Sequence, residues 1–168
     1  MKNLSILCLL IVALGFESCK NNESKKNTEP RVAEFEEPTN TECYQAIYQE
    51  DTLDLKLNTM KDGDIKGQMV MNIVNRQKKI GELVGKFRGD TLFASYTFTL
   101  EKNKKVTYKN PMAFLKKDNQ LILGNGKIET SMGASYFVKD SPIDFDKVKY
   151  KFSPIDCAEF PETMNETE

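Results

Sequence analysis

The side chains able to do chemistry in this chain are carboxylates, cysteines and hydroxyls, because there is no histidine. That absence removes Ser-His-Asp and Cys-His catalysis, most zinc sites and a histidine pH switch. Glu82, Asp90, Glu101, Asp118 and Glu129 are the candidate acids. Two carboxylates about 5–9 Å apart hydrolyse glycosidic bonds. No spacing here singles out a pair, and strand alternation turns most of these side chains outward. A Ser-Lys dyad needs a proximity that sequence does not display. The expectation is a non-enzyme with no catalytic residue, no metal and no cofactor; a carboxylate-based hydrolase is an alternative.

The other candidate chemistry is apolar. Met69, Met71, Phe87, Phe98 and Phe114 are large, and methionine suits adaptable pockets. They are candidate lining residues for a small apolar ligand. The same residues can equally fill a core. Arg88-Gly89-Asp90 spells an adhesion tripeptide, but Gly-Asp is more simply hairpin-turn chemistry. Thr52 and Thr91 each follow an aspartate and precede a leucine. That pattern resembles the O-glycosylation acceptor of Bacteroidota, and it equally describes two strand starts.

Composition bounds the rest. The 168 residues are 39% apolar and 29% charged, with net charge −1. That length suits one domain with appendages. Near-neutral charge gives no reason to expect nucleic acid, which needs a clustered positive excess.

The N-terminus reads as an address. Lys2 precedes an apolar run from Leu4 to Phe16. Thirteen helical residues rise about 20 Å, short of a ~30 Å hydrocarbon core. The run is therefore expected to be a secretory signal, residues 1–18, and not a membrane span. Ser18-Cys19 and the polar stretch after it resemble the bacterial lipoprotein lipobox. The resemblance implies cleavage before Cys19 and lipid attachment to its thiol; ordinary cleavage near Gly15 is the alternative. At ~0.8 kcal/mol per buried CH₂, two or three acyl chains hold a protein on a membrane essentially permanently.

Residues 19–40 are expected to be a lipid-anchored flexible tether. They are charged, carry Pro30 and Pro38, and have few apolar residues. Such a spacer reaches about 25 Å r.m.s.. The acidic stretch 158–168 is expected to be a flexible tail. Residues 41–157 hold 19 Lys and Arg against 15 Asp and Glu. This mild basic excess is spread along the chain and reads as solvated strand faces.

The elements that must position any site are strands. Leu53, Leu55 and Leu57 alternate with polar residues, as do Ile65, Gly67, Met69, Met71 and Ile73. So do Leu83, Gly85 and Phe87, then Leu92, Ala94, Tyr96, Phe98 and Leu100, and last Val148, Tyr150 and Phe152. This is the period of half-buried antiparallel strands. Turn signals separate the runs, among them Asp62-Gly63, Gly89-Asp90, Asp118-Asn119, Gly124-Asn125-Gly126 and Ser131-Met132-Gly133. The predicted fold is all-β: an antiparallel meander of eight or nine strands over 41–157, closing into a small barrel or strongly curved sheet. Gly67, Gly81, Gly85 and Gly89 lie on or beside strands and are expected at a bulge, a barrel corner or a close backbone approach.

Cys43 and Cys157 stand at opposite ends of this domain. In an oxidising compartment such a pair forms a disulfide, which would tie the first strand to the last. Two free thiols are the alternative; two lone cysteines cannot complete a tetrahedral metal site.

Cys43-Tyr44, Asp51-Thr52-Leu53-Asp54-Leu55, Gly85-Lys86-Phe87-Arg88-Gly89-Asp90-Thr91-Leu92, Tyr96-Thr97-Phe98 and terminal Cys157 resemble a family of small β-domain lipoproteins of Bacteroidota. The resemblance implies fold and location, and brings no chemistry. Where members carry a Ser-Glu-Gly turn, this chain reads Leu100-Glu101-Lys102. Ser131-Met132-Gly133-Ala134-Ser135-Tyr136 also resembles a loop of membrane-bound lysozyme inhibitors. The expectation is a cell-envelope lipoprotein, anchored through Cys19 to the outer membrane of a Gram-negative bacterium. Its β-domain binds an envelope protein partner or a small apolar ligand at the membrane surface. A lipocalin-like carrier with an interior cavity and a lysozyme inhibitor are the alternatives.

Overall fold

The computed structural model describes residues 36–161, apart from Gly133. Cys19, the signal, residues 19–35 of the tether and residues 162–168 of the tail lie outside the described residues. Ten strands form, all antiparallel: β1 (Asn40–Tyr48), β2 (Asp51–Thr59), β3 (Asp64–Asn72), β4 (Lys79–Arg88), β5 (Thr91–Leu100), β6 (Asn103–Lys117), β7 (Gln120–Leu123), β8 (Ile128–Ser131), β9 (Ala134–Phe137) and β10 (Lys151–Ile155). β1 to β7 pair in sequence order, and β10 slots between β7 and β1. The result is a closed eight-stranded barrel, as the alternation predicts.

The meander breaks once. Between β7 and β10 the chain makes an excursion in which β8 and β9 form their own two-stranded sheet. Gly124-Asn125-Gly126, which reads as a turn, is instead the root of this excursion. A methyl group on Gly124 would meet Ile143 and Phe145, and one on Gly126 would meet Phe137. These glycines are there for close packing and not for chain reversal. True reversals sit at Gly63 and Gly89, whose φ of 78° and 59° favour glycine, and at Asp118-Asn119, with φ of 50° and 60°.

Closure is uneven. β1 pairs with β2 over nine residues and β4 with β5 over ten. β10 pairs with β1 over three and with β7 over two. One of its residues, Pro154, stands opposite Tyr44 and has no N–H to give. Two other interactions hold this short strand. Phe152 is fully buried and meets the Phe114 ring edge-on, with centroids 5.8 Å apart. Cys157, just beyond β10, bridges Cys43 on β1 with Cα atoms 5.1 Å apart. The disulfide expected from the cysteine positions is formed.

Inward residues fill the lumen. Leu53, Leu55, Met69, Leu83, Leu92, Phe114 and Phe152 expose none of their surface. Burying each such side chain contributes about 1.5–3 kcal/mol. The Tyr96 hydroxyl, also inside, donates to the Met69 carbonyl at 2.9 Å, so it leaves no polar group unpaired. Tight coiling makes glycine necessary on β4. A Cβ on Gly81 would strike Thr97 and Phe98 of β5, and one on Gly85 would strike Phe93 and Ala94.

The start of the expected flexible tail is ordered. Asp156 caps a short 3-10 helix, Cys157–Glu159, by accepting from the Ala158 N–H at 3.0 Å. Phe160 behind it is buried. Its apolar ring gives this acidic stretch a buried anchor.

Replacing Cys43 with serine should cost about 4–5 kcal/mol in the chain-entropy picture, since the bridge spans 114 residues. Urea unfolding of C43S against the wild type checks this, with Cys157 becoming open to alkylation only in the variant. Alkylation of Cys157 in the unreduced wild type would contradict the bridge.

Candidate functional site

In an up-and-down barrel, alternate turns share an end. The β2–β3, β4–β5 and β6–β7 turns lie at the end where the chain enters β1 and where Cys43 meets Cys157. The β1–β2, β3–β4 and β5–β6 turns lie at the other, joined by the excursion that follows β7. Three depressions among the described residues are at this second end, the mouth. One, about 540 Å³, lies among Asn72, Asn75, Arg76, Gln77, Lys78 and Glu101. Another, about 350 Å³, is bounded by Leu123, Gly124, Asn125 and Lys147 to Tyr150. The third, about 430 Å³, lies beside Gln49, Glu50, Asp51 and Val74.

Asp51 braces this end. One carboxylate oxygen accepts the Val74 N–H at 2.9 Å and the other accepts the Tyr150 hydroxyl at 2.8 Å. One side chain thus joins β2, the β3–β4 connection and the approach to β10. The Val74 amide, then the Tyr150 hydroxyl, holds the Asp51 carboxyl below the ordinary aspartate value of 3.8. Burial first, then the hydrogen bond to Asp51 and its charge, push the Tyr150 hydroxyl up to about 12. Tyr150 also meets Tyr48 edge-on at 6.2 Å, and the Lys149 ammonium lies 5.5 Å from the Tyr48 ring centre.

A second cluster sits at the same end. Lys79 shares the inward register of Gly81 and Leu83, and its ammonium lies 5.0 Å from the Phe98 ring centre. Phe98 stacks between Tyr96 and Tyr108, at 4.9 and 5.4 Å. Partial burial, then repulsion from Arg76, lowers the Lys79 pKa. Among the described residues the ion pairs are Lys86–Asp64 at 2.9 Å and Lys116–Glu42 at 3.4 Å, both toward the disulfide end. The mouth cations Arg76, Lys78, Lys79 and Lys102 have no such partner among the described residues.

The residues singled out by sequence fare differently. Cys43 and Cys157 meet in the disulfide. Met69 and Phe114 expose nothing, so no space large enough for water touches them. They fill the barrel and do not line a lumen. Phe98 is 5% exposed and packed between two rings, Met71 is 9% exposed, and Phe87 is partly buried against the same core. The candidate acids scatter: Asp90 and Asp118 are in turns at the disulfide end, Glu101 is at the mouth, and Glu82 and Glu129 are exposed on strands. Arg88-Gly89-Asp90 is a hairpin turn, with the Arg88 guanidinium 5.4 Å from the Phe93 ring centre. Thr52 and Thr91 are paired in strands and partly exposed. The loop 131–136 belongs to the exposed β8–β9 hairpin.

No family model, curated protein or solved structure matches the chain.

The Asp51 brace and the cation cluster were not foreseen. The inward register of Lys79 was readable from the alternation it shares with Leu83 and Phe87. The Asp51–Tyr150 bond spans 99 residues and has no local signal.

Because the folded state lowers the Asp51 pKa, its stabilisation is complete above 3.8 and fades as pH falls through the lower folded value. Asp51→Asn should therefore lower the melting temperature at neutral pH, with a difference that shrinks below about pH 4. A difference that stays constant down to acid pH would show that the carboxylate charge is not what Val74 and Tyr150 hold.

Proposed function

We propose that the chain is a lipid-anchored cell-envelope protein of a Gram-negative bacterium, held at the outer membrane through Cys19. Its barrel is a non-catalytic module that binds a protein partner through its outer surface. The observation that carries the choice of surface over lumen is the filled interior, where Met69, Phe114 and Phe152 expose nothing. A carrier of a small apolar ligand needs an enclosed void of several hundred Å³. The depressions present are open and lie at the mouth, beside cations and backbone turns. The scattered carboxylates fit binding better than hydrolysis.

The likeness of loop 131–136 to lysozyme inhibitors favours a second reading, supported by its placement on an exposed hairpin. Met132 at its turn is fully exposed. Adding the purified protein to a lysozyme assay checks that reading directly.

Cys19→Ala should move the protein from the membrane fraction to the soluble fraction, read by fractionation and immunoblot. Retention in the membrane fraction would overturn lipid anchoring. Native mass spectrometry of the purified chain should show no extra mass that is lost on denaturation. A bound apolar molecule would restore the carrier reading.

A further inference from the structure

Sequence reading spreads the basic residues along the chain; the fold gathers six of them on two joined segments at the mouth. Arg76, Lys78 and Lys79 come from the β3–β4 connection and the start of β4, and Lys102, Lys104 and Lys105 from the β5–β6 turn and the start of β6. The two segments are joined where the Glu101 N–H donates to the Lys78 carbonyl at 2.9 Å. The acids of the rim are Glu50, Asp51, Glu101, Asp144 and Asp146. Asp51 is engaged by Val74 and Tyr150 and also feels the Arg76 charge, and Asp144 accepts from the Asp146 and Lys147 N–H groups, which leaves Glu50, Glu101 and Asp146 exposed. Lys79 is the telling member. It is partly buried over Phe98, beside Arg76, with no carboxylate within ion-pair reach among the described residues. A cation held there costs desolvation and repulsion that a bound anion would offset.

Apolar surface lies among these charges. Val74, Val106 and Tyr108 are 43%, 42% and 40% exposed. Beyond Lys109, β6 continues to β7, but its first half pairs with β5 alone.

We propose that the mouth docks an acidic, apolar-containing segment of the protein partner, with its carboxylates against Arg76, Lys79 and the β6 lysines. This rests on the surface-binding reading above and names the chemistry of its partner. The lysine ammoniums pair with carboxylates as point charges. Exposed valines favour a peptide over a nucleic acid, whose bases need open aromatic faces.

The test uses the full chain in non-ionic detergent and a labelled peptide of alternating glutamate and leucine, with a glutamine version as control. Fluorescence anisotropy should show binding of the glutamate peptide only, weakening as salt rises. Lys102→Glu/Lys104→Glu/Lys105→Glu should weaken it at least about tenfold, while Lys61→Glu/Lys66→Glu/Lys117→Glu, the same charge change at the other end, should change it less than about twofold. Matching melting temperatures would show that both triple variants are folded. Equal losses from the two triple variants, no peptide binding, or tighter binding to duplex DNA or to phosphatidylglycerol vesicles would each overturn the proposal. Fractionation of the Cys19 variant reads anchoring separately, so the mouth assignment can fail while the anchoring stands.

Discussion

The barrel depends on its closing seam. Seven strands follow one another through tight turns, and each pairing is nearly dictated by the last. The eighth must return across a 27-residue excursion and fit between two edges, where it finds only three ladder partners on one side and two on the other. Backbone pairing of that extent is weak. Phe152 and the Cys43–Cys157 bridge supply what the ladder lacks, one by filling the lumen and the other by restricting the unfolded chain. Without closure, β1 and β7 would each present an open edge, with Tyr44, Ala46 and Leu121 exposed beside it.

Closure also decides where recognition takes place. A barrel of eight strands is just wide enough to be filled by its own side chains. Here four aromatic residues, Tyr44, Tyr96, Phe114 and Phe152, are almost wholly buried. A filled lumen moves any binding to the rims and outer wall. The two rims differ in kind. One carries the disulfide, the chain entry and both ion pairs. The other carries the open depressions, the Asp51 brace and cations that lack carboxylate partners among the described residues. The brace and the seam are linked, because Tyr150 lies one residue before β10 and is tied to the start of β2.

Much of the fold was legible because period-two alternation is a local signal. Leu53, Leu55 and Leu57 announce β2, and Leu92 to Leu100 announce β5, with no knowledge of their neighbours. The glycines on β4 were legible as a bulge, a barrel corner or a close approach, and only the fold shows that β5 approaches them. The Gly124-Asn125-Gly126 segment misled because glycine has two uses, and nothing local tells crowding by Phe137, Ile143 and Phe145 from a turn. The inward apolar residues are ambiguous for a related reason. A large apolar side chain facing inward is the same in sequence whether it borders a void or fills one, and only the volume of the closed barrel decides. The mouth was least legible. Its cations lie on segments more than twenty residues apart, and register alone brings them together.

Hydrogen exchange of the native chain, followed by mass spectrometry with and without reductant, tests the seam most directly. The account predicts that reduction speeds exchange first and most in β10 and the facing stretches of β1 and β7, while β2 to β5 keep their protection. Uniform loss of protection across the barrel, or an unchanged seam, would contradict it.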